Sequence, residues 1–529
     1  MTVTRWVAVV AAVGCGVGIG VAGRAEPADR VNVVRDLANQ VGPVVGSALG
    51  CSEMQSRAAV MINKVRDVIK YAGGVEADGL REVFDGSVSV AHGAAVSGGV
   101  NCTVIVQQMD ELERSVFAPS VVASSEPVGT RPVRNVVATG TQAALPPSQD
   151  VGVGSRGVSG ITDNEIRFGI VAPFSGVSQE LGRQMKLGID AAFNRANEAG
   201  GVNGRMLQLV AADDGYEPSR TLGAMKRLAE KDGVFGFIGN VGTPTAAVSA
   251  PYAVDRRMLF FGAFTGAALL RNDPPDRYVF NFRASYGEET AAVVGYLVRI
   301  RHIPPKDIAV FAQEDAYGDS GFAGVARAFR AMNVSDQGIL RLGYKRNTID
   351  VDQAVATLKA QHSPIKAVVM VATYRAAAKF IEKTRDVYRD MIYTNVSFVG
   401  STELANELML LGPRFANGVV VTQVVPAVGA NSSAVLDYKK ALEKVYPGEL
   451  ADYVSFEGYT AANVLIEALR RVGRSVDTEK LVSALEHLNG VDIGIGTPVT
   501  FGPSEHQASH KVWGTMLDQN GRYQPIDLE

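Results

Sequence analysis

The chain has 529 residues, of which 47% are hydrophobic and 20% are charged, and this composition is typical of a globular protein rather than a disordered one. Its length exceeds what a single hydrophobic core normally serves and indicates two or three domains. The formal net charge of −3 provides no overall basic field, which argues against nucleic acid or an anionic lipid surface as a partner.

Residues 1–25 have the features of a signal peptide. Arg5 is followed by an apolar stretch from Trp6 to Ala22, and Gly23-Arg24-Ala25 places small residues at the −3 and −1 positions of a cleavage site. We therefore expect export and cleavage. An uncleaved membrane anchor and a lipoprotein modified at Cys15 remain alternatives, and no later stretch is long and apolar enough to span a bilayer.

Residues 26–118 predict a small helical domain of three or four short helices, because apolar residues recur there at spacings of three and four. Cys51 begins one predicted helix and Cys102 begins another. Signal cleavage would leave these two cysteines, and an even number in an exported chain favours a disulfide. Two buried free thiols are the alternative. Residues 119–161, rich in Pro, Ser, Thr and Gly, predict a flexible linker.

A β-strand, a helix and a second β-strand follow from residue 165. Ile166 to Val171 is a short apolar run typical of a buried strand, and Met206 to Ala212 is a second. Between them, apolar residues recur on one face of a helix that Gly200 and Gly201 end. Such a unit implies a parallel sheet, and the loop carrying Ser175 would lie at the strand's carboxyl end, where open α/β sheets bind ligands.

The same alternation continues to the C-terminus and predicts two doubly wound α/β lobes. The further predicted strands are residues 234–238, 258–261, 308–311, 338–344, 367–371, 398–400 and 418–425. The further predicted helices are residues 220–231, 245–254, 288–301, 319–332, 351–361, 375–388, 402–411, 433–446, 456–471 and 478–487.

Four short segments give the chain a family resemblance. They are Ala172-Pro-Phe-Ser-Gly176, Gly182-Arg-Gln184, Ala199-Gly-Gly-Val-Asn-Gly-Arg205 and the acidic pair Asp213-Asp214. Together they resemble the start of the leucine/isoleucine/valine-binding protein family, the type I periplasmic solute-binding proteins of ABC importers. The resemblance covers roughly the last two-thirds of the chain and leaves out residues 26 to about 150.

This resemblance implies a periplasmic protein with two Rossmann-like lobes that close a ligand cleft, preceded here by the small helical segment. By position, the first lobe would comprise residues 162–284 and 426–498, and the second lobe residues 285–425 and 499–529. The family's three crossings between lobes would then fall near Ala284, Pro426 and Pro498.

The loop Gly239–Thr245 predicts a carboxylate site in the first lobe. Thr243 is suited to the N-cap of the following helix and Pro244 to its first turn, so that free amides, including those near Gly242, and the Thr243 hydroxyl would face an anion. An ordinary helix cap is the alternative. In the family resembled, a serine at the Thr243 position binds the ligand's α-carboxylate, whereas Pro244 removes one amide donor.

The loop after the next strand resembles the family's second binding loop. By that resemblance, a backbone carbonyl near Ala263 would accept the ligand amine and Thr265 would bind its carboxylate. Phe264 stands where the family often has a small residue, which predicts a pocket of different shape. Simple core packing is the alternative for this phenylalanine.

The second lobe would contribute Tyr317, Tyr374 and either Thr402 or Glu403. Tyrosines close well over aliphatic ligands because they are large, stiff and half polar. A direct alignment places Thr402 at the family's ammonium-binding glutamate and Glu403 one residue later, and Leu181 replaces an aromatic residue common in the family. Without that carboxylate an amino acid would lose a charge-assisted hydrogen bond.

We therefore predict a monomeric, periplasmic binding component of an ABC importer. Its partners would be a small solute, such as a branched-chain or other aliphatic amino acid or a related carboxylate, and the transmembrane permease subunits. No catalytic residue, cofactor or metal is predicted. One alternative is a ligand-binding sensor or chemoreceptor partner; another is a periplasmic enzyme acting on a small amide or acid, which would need an activated reactive group in the cleft.

Overall fold

The computed structural model describes residues 41–51, 54, 57–58, 61–62, 65–66, 69, 77–98, 101–102, 104–106, 108–109 and 158–528. The chain divides into two compact units, with the boundary between Pro147 and Ser148. The predicted signal peptide and most of the predicted linker lie outside the described residues. Within the described part, no helix combines the length and the apolar character needed to cross a membrane.

The N-terminal unit contains a helix over residues 41–49 and helix α1 (Ala77–Gly98). Gly46 permits their close approach, since a Cβ atom there would lie 2.4 Å from the carbonyl oxygen of Val88. Cys51 and Cys102 form a disulfide in this unit, with their Cα atoms 5.8 Å apart. Cys51 follows the helix over residues 41–49 and does not begin a helix, contrary to the prediction.

The second unit contains two β-sheets, and the strands of the first come earlier in the chain. The first sheet consists of β1 (Glu165–Ala172), β2 (Met206–Asp213), β3 (Gly236–Ile238), β4 (Leu259–Phe261) and β5 (Val279–Phe280). The second consists of β6 (Ile308–Gln313), β7 (Leu340–Tyr344), β8 (Ala367–Val371), β9 (Ile392–Asn395), β10 (Val420–Gln423), β11 (Trp513–Leu517) and β12 (Tyr523–Ile526).

Helices cover both sheets, as expected for an α/β fold. They are α2 (Gln179–Glu198), α3 (Pro218–Lys226), α4 (Thr243–Asp255), α5 (Tyr286–Gly295), α6 (Ala316–Ala331), α7 (Asp352–Lys359), α8 (Tyr374–Arg385), α9 (Ser401–Leu411), α10 (Pro413–Ala416), α11 (Ser433–Val445), α12 (Tyr453–Val472) and α13 (Thr478–Glu486). Short 3₁₀ turns occur at Ala268–Leu270, Pro305–Asp307 and Ser397–Val399, and single π-helical turns at Arg227–Lys231 and Tyr296–Ile300.

The first sheet is parallel throughout and has the strand order β2-β1-β3-β4-β5. Strand β1 lies between β2 and β3, and its apolar residues are covered on both faces of the sheet. The ring of Phe168 packs between those of Phe193 and Phe235, and α2 buries Met185 and Ile189 against this sheet. Helix α12 packs along α2 and extends the same lobe.

The second sheet has the order β12-β11-β10-β9-β8-β6-β7. Its strands are parallel from β10 to β7, whereas β11 is antiparallel to both β10 and β12. The α/β architecture with parallel sheets is as predicted. The predicted strand over residues 398–400 is wrong: strand β9 lies earlier, and Phe398 belongs to the 3₁₀ turn Ser397–Val399.

The chain passes between the two lobes at three places, and two of these segments run side by side. Asn281 donates its backbone N–H to the carbonyl of His506 at 2.7 Å, and Ala508 donates to Asn281 at 2.8 Å. Phe501 packs against Phe280 of the first sheet. The last crossing therefore lies after residue 507, further along the chain than the position near Pro498.

Candidate functional site

Each sheet has a topological switch point, where strand order reverses and open α/β sheets form a crevice. In the first sheet it lies between β1 and β3, and in the second between β6 and β8. Thr243, Tyr317 and Tyr374, three of the residues predicted to bind the ligand, lie at the N-terminal ends of the helices that follow strands β3, β6 and β8. Topology alone therefore directs these segments toward the crevices of the two sheets.

A cluster of buried hydroxyls lies at the first-lobe crevice. The Oγ1 atoms of Thr243 and Thr265 are 2.6 Å apart, and Tyr286 Oη lies 3.4 Å from Thr265 Oγ1. Both threonines are fully buried. Strands β3 and β4 are neighbours, so the loops that follow them deliver the two hydroxyls to the same edge of the sheet.

The capping role predicted for Thr243 is wrong. Gly242 is the N-cap of α4 and Thr243 is already the first helical residue, so its hydroxyl is directed to Thr265 rather than to its own helix. Gly242 has φ of +108°, and a Cβ atom there would lie 2.3 Å from the ring of Tyr216. This position therefore requires glycine for both its backbone angle and its close contact.

The loop after β4, to which the family resemblance assigns a binding role, is closed on itself. The carbonyl of Ala263 accepts a hydrogen bond from the Thr265 N–H at 2.8 Å. Phe264 stacks on Phe398 of the second lobe, with ring centroids 5.0 Å apart and an angle of 28° between the planes. The apolar neighbours of Phe398 predict a strand, and they do not indicate that its ring lies between the lobes.

The two tyrosines predicted from the second lobe are buried with unpaired hydroxyls. Among the described residues, neither Tyr317 Oη nor Tyr374 Oη has a hydrogen-bond partner. The ring of Tyr317 lies 4.6 Å from that of Phe398 and 5.3 Å from that of Tyr286. Burial raises the pKa of Tyr317 well above its ordinary value and that of Tyr374 to about 12, so both remain neutral donors.

Thr402, Glu403 and Ser175 have partners outside the hydroxyl cluster. Burial raises the pKa of Asp452, and the neighbouring Thr402 hydroxyl opposes the shift. Burial, and then repulsion from Glu180 and Asp452, raises the pKa of Glu403. The Ser175 hydroxyl donates to Asp213 at 2.7 Å, which fixes the loop after β1.

A buried cation lies beside the cleft where the chain first crosses between lobes. The Cζ atom of Arg283 lies 4.8 Å from the ring centroid of Phe264. Its Nη2 lies 3.2 Å from Glu289 Oε1 and also hydrogen-bonds Ser397 Oγ, and its Nη1 lies 3.6 Å from Glu457 Oε1. This group was not identified from the sequence, although Arg283 directly precedes the crossing predicted near Ala284.

A groove of about 480 Å³ opens beside the hydroxyl cluster. Gly266, Tyr286 and the α6 residues Ser320 and Arg327 are among the residues that line it, so it borders both lobes. No group of three or more His, Cys, Asp or Glu side chains that could hold a metal ion occurs within the described ranges.

Comparison with known proteins agrees with this architecture. The family model for periplasmic binding proteins matches residues 165–522. A Leu/Ile/Val-binding protein homologue of Brucella melitensis is 26% identical over 336 residues, covering 63% of this chain and 86% of the relative. The Leu/Ile/Val-binding protein BraC3 of Rhizobium johnstonii is 24% identical over 354 residues, covering 66% and 91%.

Solved structures show the same relationship. The crystal structure of a possible leucine/isoleucine/valine-binding protein from Rhodopirellula baltica matches with a TM-score of 0.66 and 38% sequence identity. The match covers 71% of this chain and 99% of the Rhodopirellula chain. These matches confirm the predicted type I periplasmic-binding fold. The relatives are binding proteins rather than enzymes. The chain thus belongs to the periplasmic binding protein family.

Proposed function

We propose that this protein is the solute-binding component of an ABC importer and that it captures a small carboxylate, such as an aliphatic amino acid or a related acid, by closing its two lobes. The observation that carries the proposal is the buried pair of hydroxyls on Thr243 and Thr265, at the switch point of the first sheet. The Leu/Ile/Val-binding relatives support an amino acid or a similar acid as the solute.

The carboxylate would bind at the N-terminus of α4 and replace the hydrogen bond between the two threonines. Each hydroxyl could then donate to one carboxylate oxygen, and the positive end of the helix dipole would stabilise the charge. Tyr317 and Tyr374 would close from the second lobe and offer their unpaired hydroxyls. We infer binding without turnover, because in the described cleft these threonines pair with each other and not with a general base.

The proposal includes export by the N-terminal signal peptide, a monomeric state in the periplasm and delivery of the solute to transmembrane permease subunits. An oxidising periplasm agrees with the disulfide between Cys51 and Cys102. Lobe closure is part of the proposal because ligand contacts from both sides would stabilise the closed state relative to the open state.

The test begins with a thermal-shift screen over amino acids and small organic acids, because a ligand at 100 times its Kd stabilises a protein by roughly 2.7 kcal/mol. Calorimetry then compares the full chain with the double variant Thr243→Ala/Thr265→Ala. Two hydrogen bonds to a charged group are each worth roughly 1.5 to 3 kcal/mol, so affinity should fall by about a hundredfold or more.

Ser249→Ala is the matched control. Ser249 lies on the same helix, is equally buried and donates to the carbonyl of Thr245 at 3.0 Å. It should leave affinity unchanged. Equal affinities in the wild type and the folded double variant would show that no carboxylate is held at this site.

A further inference from the structure

The rings of Phe264 and Phe398 form a stacked pair that joins the two lobes. Phe264 follows β4 of the first sheet, and Phe398 follows β9 of the second. Their centroids are 5.0 Å apart, their planes are inclined by 28°, and both side chains are buried. Because the rings belong to opposite lobes, opening of the cleft separates them face from face.

This pair lies against the hydroxyl cluster proposed to hold the carboxylate. Phe264 immediately precedes Thr265 in the chain. On the other side, the ring of Tyr286 is 6.4 Å from that of Phe398, and its hydroxyl is 3.4 Å from Thr265 Oγ1. A ligand with its carboxylate on the two threonines therefore has its remaining atoms next to the ring pair.

Both rings are held firmly within their own lobes. The Phe264 backbone is fixed by a hydrogen bond from its N–H to the Asn240 carbonyl at 2.8 Å and by another that its carbonyl accepts from Gly242. Phe398 is carried by a single helical turn whose first residue, Ser397, donates its N–H to Glu289 at 2.8 Å. The backbone of each phenylalanine is therefore attached to its own lobe and would move with it.

We propose, building on the function proposed above, that the two rings clamp the ligand between them and that the ligand is a flat, unsaturated carboxylate such as an arenecarboxylate. Two facing plates accept a guest one aromatic ring thick when they separate by about 3.5 Å, the normal contact distance between carbon atoms. A planar ring then stacks on both faces at once. A saturated side chain is thicker and touches each plate with only a few atoms.

The test compares benzoate with cyclohexanecarboxylate, which has the same charge and number of carbons but a puckered ring, and with L-leucine. Calorimetry on the full chain should give benzoate an advantage of about tenfold over cyclohexanecarboxylate, as expected for two stacked faces. Phe398→Leu and Phe264→Leu should each reduce this preference to about threefold or less, since one plate is lost.

Two further variants separate stacking from folding. Phe398→Tyr keeps a flat ring and should keep the preference. Phe380→Leu removes a buried ring of the second lobe that stacks on Phe311 at 4.2 Å, so it should lower stability and leave the preference intact. As an affinity-independent readout, the ring protons of bound benzoate should shift upfield in the wild type and less so in Phe398→Leu.

Leucine or cyclohexanecarboxylate binding as tightly as benzoate, with affinity still lost in Thr243→Ala/Thr265→Ala, would overturn the ring clamp and leave the carboxylate site standing. A preference for benzoate that survives both leucine variants would also overturn it. Failure of benzoate to bind while another carboxylate of the screen binds would overturn the clamp alone, and failure of every carboxylate of the screen would overturn the carboxylate site and the clamp with it.

Discussion

Charged side chains join the two lobes at two places, which differ in their exposure to water. The first, called the hinge here, lies where the chain first crosses between the lobes. There Arg283 pairs with Glu289 of the second lobe and Glu457 of the first, and all three side chains are at most 4% exposed. At the rim, Glu217 of the first lobe pairs with Arg346 of the second, and these side chains are 37% and 24% exposed.

The difference indicates different roles. The proposed opening of the lobes would replace the rim contacts with water at little cost, because exposed ion pairs contribute about 1 kcal/mol or less. The hinge charges cannot be hydrated without unpacking the protein, and breaking a buried pair costs about 3 to 5 kcal/mol. The hinge network should therefore maintain the fold whether or not ligand is bound, and the rim should adjust how readily the closed state forms.

The largest expected effect is that of Glu289→Gln. Glu289 pairs with Arg283 at 3.2 Å and accepts hydrogen bonds from the Ser397 N–H and the Thr422 hydroxyl. Neutralising it weakens three buried interactions and leaves Glu457 as the remaining acidic partner of Arg283. We expect the free energy of unfolding to fall by about 3 kcal/mol, measured by urea denaturation with the fluorescence of Trp513 in β11.

Glu457→Gln tests the other half of the hinge network and should give a smaller, pH-dependent effect. Burial raises the pKa of Glu457 to about 7, although the charge of Arg283 opposes the shift. The folded state then holds a proton that the unfolded chain loses near pH 4.5. Wild-type stability should therefore fall as pH rises from 4.5 to about 7, by roughly 2 to 3 kcal/mol from this group.

The glutamine variant lacks this titration, so its stability relative to wild type should improve between pH 5 and pH 8. The same urea measurement at both values checks this. A constant difference would show that Glu457 is ionised throughout, and an effect as large as that of Glu289→Gln at pH 5 would remove the distinction between the two carboxylates.

Much of the fold could be predicted because periodicity reflects burial. Strand β1 and helix α2 have strong apolar patterns, and both form where the sequence places them. Strands β5, β11 and β12 were missed: β5 has only two residues, and β12 at the sheet edge has half-exposed and polar positions. The residues around Phe398 are apolar because they fill the cleft, and this was mistaken for a strand.

Some contacts of the candidate site could be predicted from neighbouring strands in the sequence, whereas others depend on segments that are far apart in the chain. Thr243 and Thr265 follow neighbouring parallel strands, so their proximity could be expected from topology, and the structure places their hydroxyls in contact. The hinge network was missed because Glu289 and Glu457 come from separate helices and approach Arg283 only when both lobes are assembled. No local spacing in the sequence carries that information. The binding roles of the site residues stay predictions.

At the rim, Glu217→Gln should weaken ligand affinity by about two- to fivefold and leave stability nearly unchanged. Glu217 accepts hydrogen bonds across the cleft from Arg346 at 3.0 Å and from Asn347 at 2.6 Å. It does not belong to the hydroxyl cluster. Losing one exposed pair costs up to about 1 kcal/mol of the closed state. Calorimetry with the ligand identified by screening measures the change.

Glu230→Gln is the control for the rim. Glu230 forms a more exposed ion pair with Arg256 at 2.8 Å, and both residues belong to the first lobe. Its loss should leave affinity unchanged, since this pair exists whether the lobes are open or closed. Equal effects of the two variants on affinity would show that the rim contact does not stabilise closure.

The smallest expected effect is that of substituting His510. This substitution tests whether location near the hinge or burial determines how much a charged contact stabilises the protein. His510 lies near the last crossing and its Nδ1 is 2.6 Å from Glu288 Oε1, but its side chain is 58% exposed. The hydrogen bond with Glu288 raises the pKa of His510 above 6.5. The stability from this pair is therefore fully present below pH 6.5 and is lost as pH rises through the raised value.

His510→Gln should lower the free energy of unfolding by about 0.5 kcal/mol at pH 5.5 and by nearly nothing at pH 9, because water screens an exposed pair. His487→Gln is the control: His487 is also exposed, and its Nδ1 lies 2.7 Å from the Ser483 carbonyl of its own helix. A loss at pH 5.5 comparable to that of Glu289→Gln would mean that location at the hinge, rather than burial, sets the strength of these contacts.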